Sequence, residues 1–426
     1  MAGPLDGVRV LDMTSNFMGP YASLLLADMG ADVVKVEPPE GDTTRGVGPC
    51  RSQGMGAIFL HLNRNKRSLV LDLKHADGAA TLRRMLRHAD VLIYSLRPQA
   101  MARLGLDYDT VAAINPRLVY CGAFGFGQNG PYAQHPAYDD LIQAGVGLPV
   151  AQARGAGEPT YVATAVADRV VGMALSNAVS MALYRREKTG RGQAVEVPMF
   201  ETFAHFVMGD HLYGRSFEPP IGDWGYARML APERRPFATR DGHIGVQVYT
   251  DRHWQRFFAQ IGRPALMDDP RYATIHARTQ NIGTLYALLA EVFAARGSDE
   301  WLALLQAADI PAIRMNTPAT LLDDPHMQAV GFFGTQQHPS EGRLRTIGIA
   351  QRWSEDAPEI RLPAPLLGQD TREVLGAYGF APAEVQALVA AGAARARDPA
   401  PTQPSSATAS GAAPRRSTAT TTRRPA

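Results

Sequence analysis

The chain of 426 residues is 45% hydrophobic and 20% charged, with a formal net charge of +2. That composition is ordinary for a globular protein, and the length leaves room for more than one domain with a large core. A near-neutral chain argues against a nucleic-acid binder, which needs a concentrated basic face. The two cysteines, Cys50 and Cys121, exclude a disulfide scaffold and lack the spacing of metal ligands, so no metal site is expected.

The N-terminal sequence MAGPLDGVRVLD lacks the basic and apolar regions of a signal peptide. No stretch approaches the roughly 18 uninterrupted apolar residues that indicate a membrane span. We therefore expect a cytoplasmic enzyme that binds neither membranes nor nucleic acid.

Alternating strand and helix patterns run through the first part of the chain. Residues 8–12 and 32–36 have the composition of buried strands, and residues 21–29 between them are typical of a helix. A β-α-β unit of this kind predicts a parallel sheet with a right-handed crossover. The alternation continues with strands over 68–73, 91–96 and 118–124 and helical segments over 78–88 and 109–114.

The loop after the first strand, MTSNFMGP, is not the GxGxxG fingerprint of dinucleotide-binding proteins. A doubly wound sheet still binds ligands beyond the carboxyl ends of its strands, so residues 14–19 are a candidate ligand-binding loop.

Basic residues gather near the predicted strand ends, and as a group they predict a site for the phosphates of a nucleotide-like ligand. They are Lys66, Arg67, Lys74, Arg97 and Arg103. Taken singly, each is more often a solvated surface charge.

Asp168 follows a run of small and apolar residues and begins a long helical pattern. One face of that pattern carries Val171, Leu175, Val179 and Leu183. A carboxylate at a helix start is most often an N-cap that accepts from free backbone N–H groups. It can also be a nucleophile, kept ionised by the positive end of the helix and poorly hydrated by apolar neighbours. The local pattern leaves both interpretations open.

Composition divides the chain into parts. Residues 201–235 lose clear periodicity, and Asp241-Gly242 further on is a hairpin turn signal. The end of the chain is rich in Ala, Thr, Ser, Pro and Arg, which cannot bury enough apolar surface to fold. We predict a large domain over 1–200, a linker over 201–235, a small α+β domain over 236–320, a return to the large domain over 321–394 and a disordered tail over 395–426.

Several segments together resemble one family, the class III CoA-transferases of the CaiB/BaiF type, which includes the formyl-CoA and carnitine CoA-transferases. The resemblance runs from about residue 3 to 391. The matching segments include PLDGVRVLDMT, GADVVKVEPPEGD, NRNKRSLVLDLK, LRPQAMARLGLDYD, INPRLVYCGAFGFGQNGPYA, PAYDDLIQAGVG and ADRVVGMALSNAVSMALYRREKTGRGQAVEV.

The resemblance implies an α/β fold, with a Rossmann-like large domain built from both termini, a smaller α+β middle domain and an interlocked homodimer. It places Asp168 on the nucleophilic aspartate of the family. It implies a CoA thioester as substrate and no permanently bound cofactor. The positions that it places in or beside the CoA site are Thr14, Ser15, Asn16, Leu71, Lys74, Ser95, Leu96, Arg97, Arg103, Tyr138 and Asp139.

The chain departs from the family pattern in three places. Residues 95–99 read SLRPQ, whereas family members often carry Asn-Phe before the turn. No run of glycines is present like the one in the mobile loop of the formyl-CoA transferases, which argues against oxalate and formate as substrates. The related racemases have a histidine where this chain has Tyr138-Asp139, which favours transfer over α-proton chemistry, although His135 lies three residues earlier.

Three functions remain open: a CoA-transferase, an acyl-CoA racemase or isomerase of the same fold, and a non-catalytic CoA-binding protein. A group of basic residues in the middle region could recognise a second carboxylate, which makes succinyl-CoA a candidate donor. They are Arg228, Arg234, Arg235 and His253.

Overall fold

The protein is represented by a computed structural model that describes residues 3–153 and 157–397. The strands are β1 (Arg9–Met13), β2 (Asp32–Glu37), β3 (Lys66–Leu71), β4 (Val91–Tyr94), β5 (Val119–Phe124), β6 (Gln193–Pro198), β7 (Phe237–Thr239), β8 (Gly242–Val246), β9 (Ala312–Arg314), β10 (Phe333–His338), β11 (Gly342–Ile347) and β12 (Ala394–Arg395).

The α-helices follow in the same chain order. They are α1 (Met18–Asp28), α2 (Ala57–Leu62), α3 (Ala76–Met85), α4 (Pro98–Arg103), α5 (Tyr108–Ile114), α6 (Asp139–Gly145), α7 (Leu148–Ala153), α8 (Val166–Thr189), α9 (Met199–His211), α10 (Ala227–Leu230), α11 (Asp251–Gln260), α12 (Ile275–Gln280), α13 (Ile282–Phe293), α14 (Ser298–Ala307), α15 (Pro325–Ala329), α16 (Thr371–Ala377) and α17 (Pro382–Ala390).

The large sheet has the strand order β12-β3-β2-β1-β4-β5-β6. Every neighbouring pair is parallel except β12 with β3. This confirms the predicted parallel β-α-β units. The chain builds outward from β1 to β3, then crosses back to β4 on the other side of β1. The carboxyl ends of β1 and β4 therefore form the switch point where doubly wound sheets bind ligands.

The sheet is covered on both faces. Because successive side chains on a strand point to opposite faces, Val10 and Leu11 of β1 enter different cores. The core around Val10 includes α1, α8 and α9, and the core around Leu11 includes Val374 and Leu375 of α16. The C-terminal segment thus packs on the same sheet as the N-terminal strands.

The middle of the chain has its own core. Strands β7, β8 and β9 form an antiparallel sheet, and the β7–β8 pairing confirms the predicted hairpin. Phe237 of this sheet packs with buried aromatic residues from three helices, including Trp254, Phe257 and Trp301.

Helix α9 occupies the first part of the predicted linker. Met199, Phe203 and Val207 recur every fourth residue and are buried in the same core as α8. Residues 201–211 of the linker predicted over 201–235 are therefore helical and packed in this core. Arg395 also differs from expectation, because it pairs with Val70 in the large sheet. The remainder of the predicted tail, residues 398–426, lies outside the described residues.

Helix α8 is, within the ranges that the structure describes, the one helix long and apolar enough to cross a bilayer on length and composition alone. Its residues Val171, Leu175 and Val179 are buried against the sheet and α1.

Candidate active site

Two cavities lie at the switch point of the large sheet. The first, of about 420 Å³, contains Asp168 and is called the Asp168 cavity. The second, of about 580 Å³, contains Lys74 and is called the Lys74 cavity. Ser15, which follows β1, and Ser95, which follows β4, line both cavities, so the two spaces adjoin along these loops.

Asp168 is the third residue of α8, which begins at Val166. No side chain caps this helix from the N-cap residue Ala165, and the Asp168 carboxylate is not the cap of its own helix. The backbone of Met18, the first residue of α1, instead favours the ionised form of the carboxylate and lowers its pKa. The carboxylate therefore lies at the positive ends of two helices.

Burial raises the pKa of the Asp168 carboxyl to about 6, and the negative charge of Asp139 adds to the effect. The Met18 N–H and Arg169 act in the opposite direction. The helix ends favour the ionised carboxylate, as expected from the sequence. Desolvation has the larger effect, so the net change is a raised pKa. The group is still ionised at neutral pH, and a more basic carboxylate is a stronger nucleophile.

Asp139, on α6, holds the start of α8 at Asp168. Its Oδ2 accepts a hydrogen bond from the Asp168 backbone N–H at 3.0 Å. Its Oδ1 accepts from Gln143 Nε2 at 2.5 Å, and Gln143 Oε1 accepts from the Val162 N–H at 3.0 Å. Asp139 thus supplies the cap that α8 lacks locally and ties α6 to the segment that precedes α8.

Gly172 lets α8 approach α1 closely. A Cβ atom at this position would lie 2.9 Å from the Met18 carbonyl oxygen and 2.9 Å from Cδ1 of Tyr21. Gly172 is one helical turn beyond Asp168, on the same face of α8. The absence of a side chain there brings the start of α1 within reach of the Asp168 carboxylate.

Most of the CoA-site residues implied by the resemblance line one of the two cavities. Thr14, Ser15, Leu71, Lys74, Ser95, Leu96 and Arg103 line the Lys74 cavity. Ser15, Asn16, Ser95, Arg97 and Tyr138 line the Asp168 cavity. Asp139 lines neither of them.

Lys66 and Arg67 do not join the basic group at the strand ends, and that part of the prediction is wrong. Strand β3 begins at Lys66, so both residues lie at its amino end, and neither lines either cavity. Lys66 is buried, with Nζ 3.3 Å from Asp12 Oδ2, and Arg67 Nη2 lies 2.6 Å from Asp32 Oδ2. Their charges are balanced within the fold.

The basic residues of the middle region also lie elsewhere. Arg228, Arg234, Arg235 and His253 line neither cavity in the part of the chain that the structure describes. The side chain of Arg228 bonds Gln247 and lies over the Tyr249 ring.

The sequence interpretation missed some residues of the cavities. His135, Gln128 and Gly125 line the Asp168 cavity, and Lys35 lines the Lys74 cavity. The valines on both sides of Lys35 in strand β2 were an available signal for this residue. Within residues 3–153 and 157–397, no group of His, Cys, Asp or Glu side chains is arranged to hold a metal ion.

The fold and the site define an α/β enzyme with adjoining ligand cavities at the switch point of a parallel sheet. The chain belongs to CoA-transferase family III, whose model matches residues 5–371. The match confirms the resemblance seen in the sequence and identifies the protein as an enzyme of the CoA-transferase type.

Individual relatives are similar over nearly the whole chain. The succinyl-CoA:glutarate CoA-transferase of Mus musculus is 30% identical over 376 residues, which is 87% of this chain and 86% of the relative. The formyl-CoA:oxalate CoA-transferase of Streptomyces coelicolor is 32% identical over 414 residues, 92% of this chain and 99% of the relative. The crystal structure of a CaiB/BaiF family protein from Brucella suis has a TM-score of 0.75 at 30% identity, covering 89% of this chain and all of that one.

Proposed function

We propose that this protein transfers CoA from an acyl-CoA to a carboxylic acid, with Asp168 as the nucleophile. The observation that carries the proposal is the position of the Asp168 carboxylate in one cavity that adjoins a second cavity, whose lining includes Lys74 and Arg103. The Lys74 cavity would hold the nucleotide part of CoA, with Lys74 and Arg103 facing its phosphates. The Asp168 cavity would hold the thioester.

The chemistry needs one carboxylate. Ionised Asp168 attacks the thioester carbonyl carbon, the C–S bond breaks, and an aspartyl mixed anhydride and CoA thiolate form. The thiolate attacks the aspartyl carbonyl carbon, which releases the donor acid and leaves an aspartyl-CoA thioester. An acceptor carboxylate then repeats the two steps in reverse order and regenerates Asp168. No net proton moves, because thiolate and carboxylates serve as nucleophiles and leaving groups.

Succinyl-CoA is our candidate donor. The mouse relative is named for succinyl-CoA and glutarate, and the Streptomyces relative for formyl-CoA and oxalate. This chain lacks the glycine run that the resemblance associates with formyl transfer, so we favour the dicarboxylate pair.

Isotope transfer tests the proposal directly. The protein is incubated with succinyl-CoA and an ¹⁸O-labelled acceptor acid, and all thioesters and acids are followed by mass spectrometry. The covalent route predicts a new acyl-CoA and, over several turnovers, ¹⁸O in the released succinate, carried there by the Asp168 carboxylate. The Asp168→Ala variant serves as the control and should form no new thioester. Absence of CoA transfer to any acid of a broad panel, with glutarate and oxalate included, would remove the support for the assignment.

Acyl-CoA racemisation is the second candidate, and the presence of His135 in the Asp168 cavity favours it. It predicts exchange of the α-hydrogen of a 2-methylacyl-CoA with D₂O in the absence of any acceptor acid. Exchange without CoA transfer would establish this function instead. A non-catalytic CoA-binding protein would show neither reaction. The parent and the Asp168→Ala variant would then bind CoA with the same affinity.

We also propose that two copies of the chain assemble as a homodimer. Helix α8 exposes Met181 and Tyr184, which are 60% and 64% accessible, and α9 exposes Phe206. Large apolar side chains grouped on a surface favour a protein interface. Light scattering coupled to size-exclusion chromatography tests the proposal, and a mass near 46.1 kDa, that of one chain, would contradict it.

A further inference from the structure

A buried network of charged side chains lies beneath the loop that separates the two cavities. Its members are Asp12, Lys35, Glu37, Asp42, Arg45 and Lys66, and none is more than 4% exposed. Three are acids and three are bases, so the network is balanced. Lys35 Nζ lies 2.7 Å from Asp42 Oδ2, and Arg45 Nε lies 2.7 Å from Glu37 Oε2.

The network holds both ends of the loop formed by residues 14–16. At one end, Asp12 Oδ1 accepts from the Thr14 N–H at 2.9 Å, and Lys35 Nζ donates to the Thr14 carbonyl at 3.0 Å. At the other end, Asp42 Oδ1 accepts from the Asn16 N–H at 3.4 Å. Asn16 has a positive φ of 68°, a conformation that a non-glycine residue keeps only when its surroundings hold it.

The same loop is the wall that the cavities share. Thr14 and Ser15 face the Lys74 cavity, while Ser15 and Asn16 face the Asp168 cavity. Lys35 itself lines the Lys74 cavity, as do Glu37 and Asp42. A shift of the loop would therefore alter both spaces at the point where a long ligand has to cross between them.

Stability alone does not account for such a network. Burying ions carries a large desolvation penalty, and well-packed apolar residues of similar volume are often as stable or more stable. Despite its burial, Asp42 has a pKa below its usual value because of Lys35, and Lys35 has a raised pKa because of Asp12, Asp42 and Glu37. What the ions supply beyond apolar packing is a defined geometry for the polar backbone atoms of the loop.

We propose that Lys35 and Asp42 are positioning residues for the acyl-CoA substrate, which fix the loop of residues 14–16 so that one ligand can occupy both cavities. The inference rests on the proposed function, since it takes the ligand to be a CoA thioester. Neither side chain takes part in bond making. Their effect is expected in substrate binding rather than in the turnover of bound substrate, because neither Lys35 nor Asp42 is among the groups that act on the Asp168 carboxylate.

The Asp42→Asn substitution is the sharpest test. The asparagine keeps an oxygen that can accept from the Thr44 and Asn16 N–H groups, but places an amide against Lys35. We expect KM for the acyl-CoA and Kd for free CoA to rise at least about tenfold, the change that ~1.4 kcal/mol produces. The kcat at saturating acyl-CoA should be largely retained.

The matched control is Asp32→Asn. Asp32 lies at the amino end of β2, the strand that carries Lys35, and pairs there with Arg67 of β3. It should leave KM and Kd unchanged. The double variant Lys35→Met/Asp42→Asn should be no worse in Kd than Asp42→Asn, because residues that act as a pair do not have additive effects. Thermal unfolding of each variant identifies loss of fold.

The outcomes separate the two levels of the argument. A parent protein that binds CoA but moves it to no acid would overturn the transferase proposal. The Kd values of parent and variants for free CoA would still test the positioning role of Lys35 and Asp42. Unchanged KM and Kd in a folded Asp42→Asn protein would overturn the positioning role. Equal losses in Asp42→Asn and Asp32→Asn would assign the effect to general destabilisation and overturn it as well.

Discussion

Asp139 Oδ2 accepts a hydrogen bond from the backbone N–H of Asp168 at 3.0 Å, so one carboxylate holds the helix start that presents another. The contact has two consequences. The hydrogen bond fixes the first turn of α8, and the nearby negative charge contributes to the raised pKa of Asp168.

The Asp139→Asn substitution separates these consequences. Asparagine retains an acceptor oxygen but loses the charge, so the pKa of Asp168 should fall. The acid limb of the pH profile of kcat/KM should then move to lower pH, measured in matched buffers between pH 4 and 8. Asp139→Ala removes the acceptor too and should also lower the free energy of unfolding by about 1 kcal/mol. An unmoved acid limb in Asp139→Asn would contradict the electrostatic role.

The parent enzyme should lose activity as the pH falls through about 6, because the nucleophile becomes protonated. The sign is opposite for stability. Since the folded-state pKa of Asp168 lies above the usual aspartate value of 3.8, ionisation of this group opposes folding, and the cost is present above about pH 6 and absent below pH 3.8.

Asp168→Asn should therefore abolish transfer, by at least about 10³-fold in kcat, and stabilise the protein. We expect a gain of about 2 kcal/mol in the free energy of unfolding at pH 7.5 and little gain near pH 4. Denaturant unfolding at the two pH values measures the difference. An equal gain in the free energy of unfolding at both pH values would show that the charge of Asp168 is not the source of the gain.

Gly172→Ala should push α8 away from α1, because the new Cβ would meet the Met18 carbonyl at 2.9 Å. We expect a loss of about 1–3 kcal/mol in stability, with kcat reduced because the Met18 N–H leaves the Asp168 carboxylate. Gly209→Ala is the control, since nothing lies within 4 Å of a Cβ in that helical position. It should be neutral or stabilising by up to about 1 kcal/mol. Equal activity in both variants would argue against the role given to the close helix crossing.

Lys74→Met and Arg103→Met should each raise KM for acyl-CoA about tenfold, because each removes a charge facing the proposed phosphate site. The difference in KM between parent and variants should be smaller at high salt, because salt weakens the parent's charge contacts with the phosphates. A truncated thioester without the nucleotide should show no difference between parent and variants. Arg372→Met, an exposed arginine on α16, is the control. A similar defect with the truncated thioester would place these residues outside a nucleotide site.

Local patterns in the sequence predicted much of the architecture. Apolar runs of strand length, separated by helical periodicity, were sufficient for the β-α-β order, and the resemblance was sufficient for the family. The pattern predicted the bounds of a strand less well where the strand contains charged residues. The predicted strand begins at residue 68, after the charged residues Lys66 and Arg67, and only their partners Asp12 of β1 and Asp32 of β2 explain why β3 starts at Lys66.

The sequence by itself determined that this chain forms a parallel α/β sheet and that one carboxylate stands at the start of a long apolar helix. Only the tertiary structure decided what surrounds that carboxylate. Asp139 lies 29 positions from Asp168 in the chain, and Met18 lies at the start of α1, close to the N-terminus of the chain. Periodicity records which face of a helix is buried. It contains no record of which distant N–H or carboxylate the packed helix meets, and those contacts set the pKa of the proposed nucleophile.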